Sequence, residues 1–399
     1  MNWIISELYY PEETSTGHFL TGIARGLAQS HDISVICSQP TYSQRGVIAS
    51  KHEFHDGIEV YRYWGTKLNK DFLPLRIINS LTISFSLFIA CLVRVEAGDK
   101  VIVVTNPPFL PFLLTIASKI KKSKVILLVH DVYPEVLAAT GFLRSQSLMF
   151  KLIQSVSCWL YNEVEKIITI GRDMGRVAAT KCLDSDKIHV IENWADLDFV
   201  APLPRGENEI LNAYRLQDLF VLQYCGNMGR THGLEYLVEC AELSDGKSFH
   251  FLFIGSGAKK GWLENEVANR KLANVTVLPR CPRDELPESL NACDLAVISL
   301  VPGMSGVSVP SRMYNIMAAG KPILAIADAD SELAITVREE GIGWVVAPGE
   351  VDTLLAVILD AQSDLNRLRA MGERARRIVE KKYSFEVIIN NYRKLLDTL

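Results

Sequence analysis

Two unbroken apolar runs fix the class of fold. Val101-Ile102-Val103-Val104-Thr105 and Lys124-Val125-Ile126-Leu127-Leu128-Val129 are β-branched or aliphatic at nearly every position. A strand with one wet face alternates apolar and polar residues. These runs need burial on both faces, which places them at the centre of a parallel sheet covered by helices. The same alternation of short apolar strands with amphipathic helices runs along the chain. In the first half, strands are expected at residues 3–7, 33–38, 59–63, 101–105, 124–129, 166–170 and 188–192. Residues 196–209 then carry two prolines, a glycine and several charges, the composition of a linker. The pattern restarts with strands expected at 220–225, 249–254, 275–278, 295–299, 322–326 and 343–346. The expected fold is α/β: two doubly wound Rossmann-like domains, residues 1–200 and 205–382, facing each other across a cleft. Ligands in such sheets sit beyond the carboxyl ends of the strands.

Composition narrows the partners. A net charge of −4 excludes a globally basic nucleic-acid binder, so no nucleic acid is expected. Locally the balance differs, with ten Lys/Arg against three acids between Arg62 and Lys124. This block brackets two apolar segments. Residues 77–93 form a 17-residue uncharged run that contains Asn79, Ser80, Thr82, Ser84 and Ser86, at the short limit for a membrane span. Residues 106–118 are followed at once by Lys119, Lys121, Lys122 and Lys124. Apolar helices fringed by lysine suit a surface that touches anionic lipid without crossing it, and equally suit helices that merely cover a sheet. The eight cysteines are scattered without a C-x-x-C pair and read as small buried hydrophobes in a reducing compartment, not as zinc ligands. Ile4 and Ile5 are soon followed by Glu7, Glu12 and Glu13, a first strand and not a signal peptide.

Three junctions carry the chemistry. Strand 220–225 runs into Gly226-Asn227-Met228-Gly229-Arg230-Thr231-His232-Gly233, where glycines let a backbone approach a phosphate and Arg230 supplies charge. Strand 249–254 ends in Gly255-Ser256-Gly257, by itself an ordinary turn. The loop Ser305-Gly306-Val307-Ser308 leads through Val309-Pro310-Ser311 into a helix expected from Arg312 to Ala319, then Gly320-Lys321-Pro322 and a buried strand. Pro310 and Ser311 suit a helix start, and a helix start behind a glycine loop favours a diphosphate, although many α/β junctions look alike.

The order of small-residue loop, V-P-S-basic, helix, A-A-G-K-P and strand over 305–328 resembles the donor-sugar segment of the family-4 retaining glycosyltransferases. That family has the GT-B fold, and the nearest branch is similar to fucosamine-transferase-like enzymes of bacterial surface polysaccharides. The resemblance spans nearly the whole chain and is strongest from Gly226 to Ala327. It implies a hexosyl- or N-acetylhexosaminyltransferase that moves a sugar with retention from a nucleotide-sugar, UDP being the expected carrier. The implied acceptor is a polyprenyl-diphosphate-linked saccharide at the inner face of the cytoplasmic membrane, which the enzyme would touch peripherally from the cytoplasm. No metal and no cofactor are expected. A C-terminal helix, residues 383–399, would cross back onto the first domain.

The site residues follow from the same resemblance. Gly226, Asn227, Gly229, Arg230 and Gly255 would lie along the donor phosphates, with Thr16 and Gly17 facing them from the first domain. Arg280 and Cys281 would lie against the nucleobase, with Arg283 read as a surface charge. Gly306, Val307, Ser308, Val309, Pro310, Ser311 and Arg312 would line the sugar and diphosphate, and Asn315 the ribose. His130, at the end of strand 124–129, would face the anomeric carbon beside Asp131, and Glu135 would meet the acceptor. Departures accompany this. Two glutamates eight positions apart in relatives fall on Val307 and Asn315, and a cationic pair of the glycine tract falls on Asn227 and His232. Asn315 can still bond a hydroxyl, whereas Val307 offers only its backbone, so sugar recognition would pass to N–H groups of residues 306–309 or to a less polar sugar. A sugar-nucleotide epimerase, which needs more cleft acids and histidines, and a degenerate nucleotide-binding scaffold remain the alternatives.

Overall fold

The computed structural model describes residues 1–41, 47–69, 72–244 and 249–399. Lys70 and Asp71, two charges of the basic stretch, lie outside the described residues. The first sheet holds β1 (Asn2–Ser6), β2 (Ile33–Ser38), β3 (His52–His55), β4 (Ile58–Tyr63), β5 (Lys100–Val104), β6 (Lys124–Val129), β7 (Lys166–Thr169) and β8 (Ile188–Val190). Their spatial order is β3-β4-β2-β1-β5-β6-β7-β8, and only the β3–β4 pairing is antiparallel. The second sheet holds β9 (Phe220–Asn227), β10 (Phe249–Ser256), β11 (Val275–Leu278), β12 (Leu295–Ser299), β13 (Ile323–Ile326) and β14 (Gly343–Val346). It is parallel throughout, in the order β11-β10-β9-β12-β13-β14. The two expected runs are interior strands, β5 and β6, buried after their first lysine. In both sheets the winding reverses beside the first strand, between β1 and β5 and between β9 and β12. Loops part there and leave a crevice at the carboxyl ends.

Strand β3 was not expected. His52-Glu53-Phe54-His55 lacks the β-branched character of the other strands and lies exposed or half-buried on the sheet edge. The signal that marks it is the turn: Asp56 and Gly57 have φ of 52° and 77°, the pair of left-handed residues that a tight hairpin requires. Strands β9 and β10 also run farther than expected, carrying their ladder through Gly255–Gly226 and Ser256–Asn227.

The tract expected as a linker is tied down. Val200 N–H donates to Asp196 O at 2.7 Å, Leu203 N–H to Asn291 Oδ1 at 3.0 Å, and Arg376 bonds both Val200 O and Ala318 O at 2.8 Å. After the Leu365–Lys382 helix, the Phe385–Asp397 helix returns to the first domain and packs on the Ser15–Leu27 helix. A side chain at Gly26 would overlap Ile389, and Arg393 donates to Gly26 O at 2.7 Å. The core accordingly runs without a break from β1 and β5 through Val309, Met313 and Tyr314 into the second domain.

The first apolar segment forms the Leu73–Arg94 helix, and residues 74–94 are long and apolar enough to cross a membrane. Ile83, Leu87, Ala90 and Cys91 are buried in the core. Ile77, Ile78, Leu81, Phe85, Ile89 and Val93 are exposed.

Candidate active site

The glycine turns of β9 and β10 interlock with the start of the Arg312–Ala318 helix. Gly226 has φ of 141°, and a Cβ there would sit 3.1 Å from the Arg312 guanidinium. A Cβ on Gly255 would sit 1.9 Å from Gly226 O, and Gly257, with φ of 146°, is pressed against Met228 O. Glycine is required at Gly255 and Gly257 because backbone passes backbone with no room for a methyl group, and at Gly226 because of its positive φ. Arg312 lies 4.7 Å over the Tyr224 ring, donates to Cys225 O at 3.3 Å and places Nη2 2.8 Å from His232 Nε2. Burial, then the charge of Arg312, lowers the His232 pKa to about 3. The residue in place of a family cation is therefore a neutral anchor for Arg312. Ser311 does not cap this helix: its backbone is already helical and its hydroxyl meets Ser15 Oγ, 3.1 Å away in the other domain. The helix is only seven residues long, so charge at this end comes chiefly from the arginine. Arg230 is exposed and reaches across to the first domain, 5.7 Å over the Phe142 ring, while Asn227 O accepts the Tyr224 hydroxyl.

The first domain supplies the facing wall. Thr14 caps the Ser15–Leu27 helix by accepting Gly17 N–H at 3.2 Å, and a Cβ on Gly17 would lie 2.7 Å from Glu12 O. Thr105 Oγ1 accepts both His130 N–H and Asp131 N–H at 3.1 Å, fixing the ends of β5 and β6 together. His130 Nδ1 lies 3.4 Å from Thr16 Oγ1, and its buried Nε2 has no partner among the described residues. Burial lowers the His130 pKa to about 4, so the imidazole is neutral near pH 7. Burial raises the Asp131 carboxyl, opposed by a hydrogen bond from the Ser308 side chain. The structure thus pairs Thr16 with His130 and Ser308 with Asp131 at the end of β6.

Several expected contacts are otherwise engaged. Asn315 Oδ1 accepts the Asp196 N–H at 3.1 Å, so its amide oxygen fastens the interdomain tract, and a ribose hydroxyl would have to be met by its Nδ2. Gly306 N–H goes to Asp173 Oδ2 at 2.9 Å and Val307 N–H to Met304 O at 3.1 Å, which removes two of the backbone donors assigned to the sugar. Val307 is buried, and its carbonyl accepts Val132 N–H at 3.0 Å; Val309 packs against Gly171. The Cys281 thiol lies 2.8 Å from Ser289 Oγ, and Arg280 is exposed beside it. Glu135 Oε2 is held by the buried ammonium of Lys181, which engages one oxygen of the carboxylate assigned to the acceptor. Pro310 O accepts Met313 N–H at 3.1 Å in the first turn of the short helix.

Sequence reasoning missed the residues that hold the domains together. Arg283 is no mere surface charge: its Nη2 is 3.0 Å from Asp196 Oδ2 and 3.0 Å from His18 Nδ1, while His18 Nε2 meets Asp196 Oδ1 at 3.1 Å. Burial pushes the Asp196 carboxyl up, but His18, Arg283 and Arg25 outweigh it and hold it below its usual range. His18, Arg25, Trp194, Asp196 and Arg283 line a cleft of about 1190 Å³ between the domains. Asp173 Oδ2 accepts both Gly306 and Glu332 N–H at 2.9 Å, and Arg172 forks onto Glu332 at 2.9–3.2 Å. These partners are 87 to 265 residues apart, so no local pattern signals them. Among the described residues, no three or more His, Cys, Asp or Glu side chains are grouped to hold a metal ion.

Residues 207–378 match the family described as Glycosyl transferases group 1, and residues 16–199 match Glycosyltransferase Family 4. WbjE of Pseudomonas aeruginosa, named as a glycosyltransferase, is 32% identical over 299 residues, covering 75% of this chain and 74% of that protein. WcaI of Escherichia coli (strain K12), named as a colanic acid biosynthesis glycosyl transferase, is 26% identical over 400 residues, covering 96% and 98%. Among solved structures, Anabaena HepE in complex with UDP superposes with a TM-score of 0.74 at 15% identity over 100% of both chains. WaaG, named for lipopolysaccharide biosynthesis, superposes with a TM-score of 0.72 at 14% identity over 98% of both chains. At those identities the likeness is one of fold.

Proposed function

The chain belongs to the glycosyl transferases group 1 family, and from that premise we propose that it transfers a hexose or N-acetylhexosamine, with retention, from a nucleotide-sugar to a lipid-linked saccharide in surface-polysaccharide synthesis. The observation that carries this reading is Arg312, held by His232 and Tyr224 against the glycine turn at the end of β9. A donor diphosphate laid along Gly226 to Gly229 would meet this guanidinium, with Arg230 as a second cation. The HepE complexes with UDP and with UDP-glucose support a uridine diphosphate carrier.

In this reading the acceptor hydroxyl attacks the anomeric carbon on the face the diphosphate leaves. The new C–O bond forms as the C–O bond to phosphate breaks, and the hydroxyl proton passes to the departing phosphate oxygen. Arginine and backbone dipoles hold the charge that develops there. Neutral His130 offers Nε2 to a sugar hydroxyl near the carbon that gains positive character, and Asp131 lies beside the acceptor oxygen. Val307, buried and apolar where relatives place an acid, supports a deoxy or N-acetylated sugar. The exposed apolar side of the Leu73–Arg94 helix, fringed by Lys121 and Lys122, supports peripheral contact with an anionic membrane.

The test is thermal stabilisation by UDP, GDP, dTDP and ADP, repeated with Arg312→Ala, followed by transfer assays with the matching sugar nucleotides. A shift with one nucleotide, lost in the variant, and an axial-to-axial product by NMR are the expected results. Turnover of donor without acceptor into an epimer, or no shift with any nucleotide, would overturn the reading.

A further inference from the structure

A cavity of about 540 Å³ opens beside Asp131, at the carboxyl ends of β5 and β6. Its size suits an enclosed organic ligand, which typically takes ~300–1,000 Å³. Its walls are largely apolar, with Pro108, Phe112, Leu137, Phe142, Ile153 and Leu160 among them. A saccharide bound there would leave hydroxyls without partners, at a cost, whereas a hydrocarbon chain is matched to the lining.

Polar groups also reach the wall: the carboxylates of Glu7 and Asp131 on one hand, and on the other donors that suit an anionic head. Arg76 is the one cation on the wall; it is exposed and in no ion pair among the described residues. The hydroxyls of Ser80 and Tyr161, also on the wall, are buried and have no hydrogen-bond partner among the described residues. Phosphate oxygens would complete both. Asp131 stands on the same wall and is bonded to Ser308 of the donor loop, so the cavity adjoins the proposed point of transfer. Arg230 of the donor domain lies over Phe142 on the same cavity wall.

The outer surface continues the lining. Ile77, on the wall and 43% exposed, leads onto Ile78, Leu81 and Phe85 of the Leu73–Arg94 helix, all exposed. Phe109 and Phe142, both on the wall, are also exposed. A lipid moving from a bilayer along this side would meet apolar surface all the way in, with Arg76, Lys121 and Lys122 complementing its negative charge.

We propose that this cavity seats the proximal isoprenoid segment of a polyprenyl-diphosphate acceptor, with Arg76, Ser80 and Tyr161 receiving the diphosphate. The inference rests on the transferase reading above and deepens it: the enzyme recognises the lipid as well as the saccharide. Burying even two or three methylene groups, at about 0.8 kcal/mol each, gives roughly a tenfold or greater preference for a long chain.

The experiment compares kcat/KM for one saccharide carried on a polyprenyl diphosphate and on a single-isoprene diphosphate, in the wild type, Leu137→Trp and Ile153→Trp. Both substituted side chains are half-buried on the cavity wall, so the bulkier ring fills the cavity. The expected result is a long-chain preference of about tenfold or more in the wild type that falls towards one in the variants. A preference unchanged by both substitutions overturns the proposal. A second arm irradiates wild-type protein with a benzophenone-tagged farnesyl diphosphate and maps the labelled peptides. Label on residues 106–112 or 153–161 supports the site, and label confined elsewhere overturns it. Should no donor yield product with either acceptor, the transferase reading fails, and the labelling still decides the cavity.

Discussion

Asn315 Oδ1 accepts the backbone N–H of Asp196 at 3.1 Å, so the side chain expected at the ribose also fastens the interdomain tract. Asp196 in turn binds His18 and Arg283, which makes one amide the inner end of a bridge between both domains. Replacing Asn315 by Ala removes that acceptor and leaves a half-buried N–H unpaired. The expected loss is about 1 kcal/mol in urea unfolding, together with weaker nucleotide binding as the His18–Asp196–Arg283 contact loosens. Unchanged stability and unchanged nucleotide affinity would remove the bridge from the account.

Arg312→Ala should weaken nucleoside diphosphate binding by roughly 10- to 100-fold, the value of a charge-assisted contact of about 1.5–3 kcal/mol. Gly226→Ala should do similar damage from the other side, because its Cβ would press on the guanidinium at 3.1 Å from a φ of 141°. Isothermal titration with the stabilising nucleotide measures both. Equal affinity in wild type and Arg312→Ala would take the phosphate away from this residue.

The two depressed imidazoles predict acid sensitivity. His130 and His232 have folded pKa values of about 4 and about 3, below the unfolded value near 6.5. Between those limits the unfolded chain binds more protons, so their contribution is present above pH ~6.5 and is lost as pH falls towards 4 and 3. Each group should add a slope of about 1.4 kcal/mol per pH unit within its window. Asp131, raised by burial, acts oppositely: its folded form holds a proton above the unfolded pKa, which favours folding on the acid side. Urea unfolding from pH 4 to 7 should show stability rising with pH, and His130→Gln should flatten the curve across its part of the range. A His130→Gln curve parallel to wild type would contradict the neutral, buried imidazole.

Asp173→Asn should destabilise the chain by about 1–3 kcal/mol, since Oδ2 accepts Gly306 and Glu332 N–H and an amide nitrogen there would oppose two donors. The donor loop begins at one of those donors. Faster proteolysis within residues 303–309 and a raised KM for the nucleotide-sugar are the accompanying expectations.

Charge reversal at Lys121 and Lys122 should weaken binding to phosphatidylglycerol vesicles by more than tenfold at low salt, at about 1 kcal/mol per lysine near the surface. Neither lysine has an ion-pair partner among the described residues, unlike Lys119, which pairs with Glu163. Vesicle co-sedimentation reads this directly, and equal binding by the double variant would leave the basic fringe without a membrane role.

The sheets were legible because strand burial writes itself locally. A run such as Val101 to Val104 has no wet face, and its neighbours alternate with helices at short range, so the two-domain architecture follows from period and length. The glycine turns were legible for a related reason: Gly226, Gly255 and Gly306 occupy conformations or close approaches that admit no side chain, a constraint visible wherever glycine ends a strand. The β3 edge was missed although Asp56-Gly57 marked its turn, because attention to apolar runs passes over a strand made of His, Glu and Phe.

Tertiary structure alone decided how each polar group is spent. Sequence named Asn315, Glu135, Val307 and Arg283 by their place in a pattern, but their partners are Asp196, Lys181, Val132 and His18, brought close by tertiary folding and, for all but the Glu135–Lys181 pair, only where the first domain or the interdomain tract meets the second domain. Hydrogen bonds depend on distances of tenths of an ångström between residues far apart in the chain, and local propensity holds no record of them. The chain by itself determined two doubly wound sheets with glycine turns at their carboxyl ends. Tertiary packing determined that His130 is neutral, because burial removes its water, and, within the second domain, that Arg312 is aimed, because Tyr224 and His232 surround it.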